Sequence, residues 1–90
     1  MEITKIVKIT NRLGLHLRAG AQFVKTSSRF KCRILVKYGN GHVNGKSLIN
    51  LIALAASYGS ELVLVFEGED AWDAHISICN LFLNKFGEPE

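Results

Sequence analysis

Alternating hydrophobic and polar residues along several segments of the chain predict strands that bury one face. Segment 3–10 is rich in β-branched residues, and segment 31–38 sets apolar residues against lysine and arginine. Segment 61–67 consists almost entirely of Leu, Val and Phe, which is typical of a central strand. An Asn-Gly pair at 40–41 predicts a hairpin, so a short further strand should follow it.

Three other segments are predicted to be helices from their apolar residues and from the residues that flank them. Ser47 and Asp70 are expected to cap the second and third helices, because Ser and Asp are preferred at that position. Gly59 marks the break after the second helix, and Gly87 and Pro89 close the third. The predicted helices span 17–28, 48–56 and 71–86.

The predicted elements follow the order βαββαβα. A chain of 90 residues with 48% apolar residues is large enough for one core and too small for two, so residues 1–90 are expected to form a single domain. The order predicts an α+β fold of the open-faced two-layer sandwich type, in which three helices pack on one face of a four-stranded antiparallel sheet.

Composition narrows the class of protein. No apolar stretch has transmembrane length, and the N-terminus alternates charged and β-branched residues where a signal peptide would be continuously apolar. We therefore expect a cytoplasmic protein without membrane insertion. Cys32 and Cys79 form no C-x-x-C pair and are expected to be buried thiols. His42 and His75 show no ligand spacing with His16, so neither a metal site nor a cofactor is predicted.

Two other classes share a similar element order and lack support in the residues. An RNA-binding module of the βαββαβ type stacks bases on aromatic residues of its third strand, and GHVNG at 41–45 has none. A metal chaperone would need paired cysteines in the first loop, which reads TNRLGLHLR. The net charge of +3 is spread along the chain, so it permits an acidic partner surface without indicating a nucleic acid.

His16 and Arg18 follow Gly14 at the predicted junction of the first strand and the first helix. Backbone amides at a helix N-terminus lack intrahelical partners and attract anions. A neutral imidazole is a nucleophile, and the positive end of the helix dipole disfavours the imidazolium. Arg18 brings a planar guanidinium suited to phosphate oxygens. The pattern fits phosphohistidine chemistry, although many histidines near helix ends have no such function.

The segment NRLGLHLRAGAQFVK, together with NGKSLINLIALAASYGSEL, resembles HPr, the histidine-containing phosphocarrier family of the sugar phosphotransferase system. The resemblance covers essentially the whole chain. It implies that His16 accepts a phosphoryl group at the ring nitrogen next to Cβ, that Arg18 attends the phosphate, and that Ser47 is a regulatory phosphorylation site. The implied partners are enzyme I, which is charged by phosphoenolpyruvate, enzyme IIA domains, and a kinase/phosphorylase for Ser47 where the host has one. Such a protein is a carrier without turnover of its own.

The sequence departs from the family pattern at three positions. Leu17 stands where a small residue is usual, and Ala19 where proline is usual, which should loosen the turn without removing a donor. Ala55 replaces a common glycine and is expected to favour the second helix. These changes leave open whether the carrier serves sugar uptake or a regulatory branch such as the nitrogen-related phosphotransferase system.

The second predicted helix has almost no polar face, although a helix in a two-layer domain needs only one apolar stripe. If Leu51 and Leu54 turn inward, some aliphatic residues remain at the surface as a docking patch; the alternative is that all are core. The resemblance favours Phe23 and Val24 as core residues of the first helix, so that its opposite face joins the patch. The patch then comprises Leu17, Ala21, Lys25, Leu48, Ile49 and Ile52.

Overall fold

The computed structural model describes residues 1–90 and confirms the predicted α+β architecture. Its strands are β1 (Glu2–Lys8), β2 (Arg33–Tyr38), β3 (Gly41–Asn44) and β4 (Glu61–Glu67). They form one four-stranded sheet in the order β1-β4-β2-β3, and every neighbouring pair is antiparallel. The structure places β1 at 2–8, where 3–10 was predicted, and β2 at 33–38, where 31–38 was predicted. The bounds of β4 match the prediction.

The helices are α1 (Leu17–Ser27), α2 (Leu48–Ala53) and α3 (Ala71–Leu83), followed by a short 3₁₀ turn at Lys85–Gly87. The prediction for α1 was correct at its start. The predictions for α2 and α3 were too long at their C-termini, because Ala55 and Phe86 adopt left-handed backbone conformations with φ near +54° that a helix cannot contain. Helix α2 therefore has only 6 residues.

The core lies between the sheet and the helices. On β4, Leu62, Leu64 and Phe66 are fully buried, while the alternate residues point to the open face of the sheet. Phe23 of α1 meets Phe82 of α3 edge to face, with ring centroids 6.1 Å apart. Each fully buried side chain of this size contributes roughly 1.5–3 kcal/mol, so this alternation determines which face of the sheet the helices cover.

Asp70 precedes α3 as predicted, but its side chain makes no cap bond to that helix. Its carboxylate instead accepts hydrogen bonds from the backbone amides of Lys31, at 2.8 Å, and Cys32, at 2.9 Å. These hydrogen bonds hold the pKa of Asp70 below its usual value, and the bond from Lys31 has the largest effect. The side chain thus ties the start of α3 to the segment before β2, a use that only the tertiary fold creates.

The two cysteines are free thiols, and only one meets the expectation of burial. Cys32 is buried, and burial together with the Asp70 carboxylate raises its pKa to about 11. Cys79 is half-buried on α3, so the prediction for this residue was wrong.

None of the helices has the length and apolar character needed to cross a membrane.

Candidate functional site

His16 occupies the N-cap position of α1, with φ −80° and ψ −177°. Its carbonyl oxygen accepts the first helical hydrogen bond from the amide of Gly20, at 2.7 Å. The amides ahead of Gly20 in the first turn have no intrahelical partner, and the positive end of the helix dipole lies there. The imidazole is partly exposed, at 27% of its side-chain surface, so the ring can meet both the helix terminus and an approaching molecule.

The loop before His16 is fixed by backbone contacts at Gly14. This residue has φ +71°, and its amide donates to the carbonyl of Asn11 at 3.1 Å. The next amide, of Leu15, donates to the carbonyl of Ala56 at 3.0 Å. A Cβ on Gly14 would lie 2.7 Å from that same Ala56 oxygen, so only glycine fits. The histidine is therefore held by a turn that depends on the segment after α2.

A carboxylate from the end of the chain contacts the imidazole. The Nε2 atom of His16 lies 2.5 Å from Oε2 of Glu88, whose side chain is only 7% exposed. The other ring nitrogen, Nδ1, makes no hydrogen bond in the structure. Burial would raise the pKa of Glu88, but the hydrogen bonds from His16 and Asn11 and the positive charge of Arg18 hold that pKa below its usual value.

Asn11 joins the loop to this carboxylate. Its Nδ2 donates to the carbonyl of Gly14 at 2.8 Å and to Oε1 of Glu88 at 3.1 Å. Asn11 is 1% exposed, so these bonds form in a buried place where water cannot easily replace them. Asn11 thereby holds the loop before His16 against the C-terminal segment.

Arg18 is exposed on the first turn of α1 and lies beside the same carboxylate. It lines a shallow cavity of about 230 Å³ together with Arg12, Glu88 and Glu90. The guanidinium therefore has freedom to turn toward an anion at His16. A larger cavity, about 510 Å³, lies between β1 and α3 and contains none of the predicted site residues.

The residues of the predicted docking patch are not core residues. Ile49 is 79% exposed and Leu17 is 64% exposed. Leu48 and Ile52 are half-buried, and both pack against α1 at Gly20. A Cβ on Gly20 would lie 3.1 Å from the Leu48 side chain and 3.5 Å from that of Ile52. Ala21 and Lys25 are exposed on α1, whereas Leu51 is fully buried. The alternative in which all these aliphatic residues belong to the core is therefore wrong.

Ser47 is the N-cap of α2, as predicted, and its Oγ accepts a hydrogen bond from the amide of Asn50 at 3.4 Å. Ala55 lies beyond the end of α2, and its φ of +54° is a conformation that favours glycine. The expectation that alanine here would favour the helix was wrong, because the position is not helical.

No group of three or more His, Cys, Asp or Glu side chains is arranged to hold a metal ion. The contact missed by sequence reasoning is that of Glu88, which lies 72 residues after His16. The sequence around Glu88 is the acidic segment GEPE at 87–90. Nothing in this segment indicates that Glu88 lies beside His16 in the fold.

The chain is similar over nearly its whole length to known proteins. A family model described as "PTS HPr component phosphorylation site" matches residues 3–84. Phosphocarrier protein HPr of Treponema pallidum is 43% identical over 86 residues, which cover 96% of this chain and 98% of that protein. Phosphocarrier protein HPr of Neisseria meningitidis is 39% identical over 84 residues, covering 93% and 94%. The crystal structure of HPr-C-His from Thermoanaerobacter tengcongensis, 38% identical, aligns with a TM-score of 0.91 over 100% of this chain and 99% of that one. With this fold and these relatives, the chain belongs to the HPr family of phosphocarrier proteins of the phosphotransferase system.

Proposed function

We propose that His16 accepts a phosphoryl group at Nδ1 from enzyme I and passes it to enzyme IIA domains. The observation that carries this proposal is the place of His16 at the start of α1, with Nδ1 free of hydrogen bonds. The Nδ1 lone pair forms a bond to phosphorus while the bond from phosphorus to the donor histidine breaks. The helix N-terminus and Arg18 stabilise the phosphoryl oxygens during transfer. The protein acts in the cytoplasm, where phosphoenolpyruvate charges enzyme I.

Incubation with phosphoenolpyruvate and enzyme I, followed by intact-mass measurement, tests the proposal. One phosphoryl group should be gained, and the adduct should be acid-labile and base-stable. Purified IIA domains of the sugar branch and of the nitrogen branch, supplied separately, should then discharge it. The faster acceptor identifies the branch that the carrier serves. An unmodified protein under conditions that charge a known HPr would refute the carrier proposal.

Arg18→Ala should slow phosphoryl transfer by on the order of tenfold or more, because a guanidinium stabilises charge that develops between donor and acceptor. The melting temperature should change little, since substitutions of exposed charges usually cost under about 0.5 kcal/mol. Arg33→Ala is the control, because Arg33 is 88% exposed on β2 and makes only a 3.8 Å ion pair with Glu67. Equal transfer rates in the two variants would leave Arg18 without a role in the reaction.

Partner proteins dock, in this proposal, on the patch formed by α1 and α2. Ile49→Glu should weaken binding of enzyme I with little loss of stability, because the charge stays hydrated in the free protein and must lose water on association. Leu83→Glu is a matched control, since Leu83 is 78% exposed on α3 and Ile49 is 79% exposed on α2. Titration calorimetry with enzyme I measures the difference. Similar affinities of both variants would place docking elsewhere.

Phosphorylation of Ser47 by a kinase would regulate this docking. At the N-cap of α2 an anion is tolerated by the helix terminus, yet it borders Leu48 and Ile49, where an approaching partner must remove its water. Ser47→Asp should keep the melting temperature and slow phosphorylation of His16. Ser47→Ala should lose roughly 0.5–2 kcal/mol of stability and keep transfer intact. Normal transfer kinetics in folded Ser47→Asp would reduce Ser47 to a helix cap.

A further inference from the structure

The C-terminal segment is held in place on both sides of Glu88. Before it, Phe86 is 2% exposed and packs on Phe82 with ring centroids 4.9 Å apart. The amide of Glu88 donates to the carbonyl of Lys85 at 3.0 Å. After it, the carbonyl of Glu90 accepts a hydrogen bond from the amide of Arg12 at 2.9 Å. The Glu88 side chain is thus positioned by packing and backbone bonds, and its contact with His16 is not that of a loose tail.

Both oxygens of this carboxylate have a partner in the site. Oε2 meets Nε2 of His16 at 2.5 Å, and Oε1 accepts from Asn11 at 3.1 Å, while Asn11 also holds the Gly14 loop. A carboxylate accepts and cannot donate when ionised, and Glu88 is ionised at neutral pH because its pKa is lowered. Nε2 of His16 must therefore carry a proton, which leaves the lone pair of neutral imidazole on Nδ1.

We propose that Glu88 is a positioning residue for phosphoryl transfer, which keeps His16 in the tautomer whose Nδ1 is the nucleophile and offsets the positive charge that the ring gains on phosphorylation. The inference rests on the proposed function. As the Nδ1–P bond forms and the donor's N–P bond breaks, the electron pair of the broken bond returns to the donor imidazole. The Nε2 proton stays on His16 and remains donated to Glu88. The arrangement parallels the carboxylate that orients histidine in hydrolase triads.

A carboxylate beside Nε2 is useful because the other charged groups around His16 disfavour a positively charged ring. The N-terminus of α1 and the guanidinium of Arg18 both favour the incoming phosphoryl oxygens and disfavour positive charge on the imidazole. Glu88 supplies the opposite effect at Nε2, on the side of the ring away from Nδ1. Arg12 and Glu90 line the same cavity, and Glu88 is the side chain hydrogen-bonded to the ring.

Glu88→Gln tests this role, because it keeps the size of the side chain and removes its charge. With enzyme I and phosphoenolpyruvate, kcat for phosphorylation should fall on the order of tenfold while KM for the carrier stays unchanged, because docking uses another surface. The transfer equilibrium should shift toward phosphorylated enzyme I, since the ring cation loses its partner. Glu69→Gln is the matched control, because it removes the same charge from an exposed residue that lies in the turn before α3 and does not line this cavity.

Nitrogen-15 NMR of the unphosphorylated proteins gives a readout that a merely structural role would not move. Wild type and Glu88→Gln should both be folded, with His16 protonated only at Nε2 in wild type and with a share of the Nδ1-protonated tautomer in the variant. The same tautomers and the same kcat in all three proteins would overturn the proposal. A rise in KM or an unfolded Glu88→Gln would overturn it as well. Because the NMR measurement needs no phosphoryl donor, a wild type that is never phosphorylated refutes the carrier proposal separately.

Discussion

His16→Ala should abolish the phosphorylated species entirely when the variant is incubated with phosphoenolpyruvate and enzyme I. The imidazole is the nucleophile of the proposed reaction, and no neighbouring side chain can take its place. Asn11 and Glu88 are already hydrogen-bonded, and Arg18 is a cation without a lone pair to donate. A covalent step whose nucleophile is missing is lost rather than slowed, so this is the largest expected effect on activity.

His42→Ala is the control for this experiment, because His42 is exposed on β3, an edge strand of the sheet. It should be phosphorylated like the wild type. The fold of His16→Ala should persist, since the ring is partly exposed and contributes one side-chain contact. Circular dichroism and intact-mass measurement on the same samples separate loss of chemistry from loss of folding. A full acid-labile adduct on folded His16→Ala would move the acceptor to another residue.

Gly14→Ala should cause the largest loss of stability among small substitutions near the site, about 2–4 kcal/mol in the free energy of unfolding. Alanine at φ +71° is strained, and its Cβ would lie 2.7 Å from the carbonyl oxygen of Ala56 and 3.0 Å from Cα of Ser57. Relief of that clash would break the hydrogen bond from Leu15 to Ala56. Because this bond fixes the loop before His16, transfer should also slow.

Gly39→Ala separates strain from clash. Gly39 has φ +58° at the hairpin between β2 and β3, and a Cβ there would meet nothing within 4 Å. Gly39→Ala should lower the free energy of unfolding only by the cost of the left-handed backbone conformation, about 1–2 kcal/mol. Urea unfolding of both variants measures the difference. Equal losses of stability in the two variants would mean that the segment after α2 moves away from the added Cβ at little cost. That segment would then not fix the position of His16.

Local patterns predicted the elements that packing then used. The alternation at 31–38 and the apolar run at 61–67 agree with strands β2 and β4, because a strand with an apolar face must bury that face. Predictions failed at the ends of α2 and α3. There Ala55 and Phe86 take left-handed conformations that neither residue prefers, and only the packing of the surrounding chain can impose them.

The site divides in the same way. The sequence by itself determined the fold class, the family, and the placement of His16, Arg18 and Ser47 at helix starts, because these follow from residues that are close together along the chain. The tertiary structure alone decided that Glu88 contacts the imidazole, that Asp70 binds the amides before β2, and that Gly14 rests against Ala56. Such contacts join residues tens of positions apart, and no local spacing encodes which distant groups the closed chain brings within hydrogen-bonding distance.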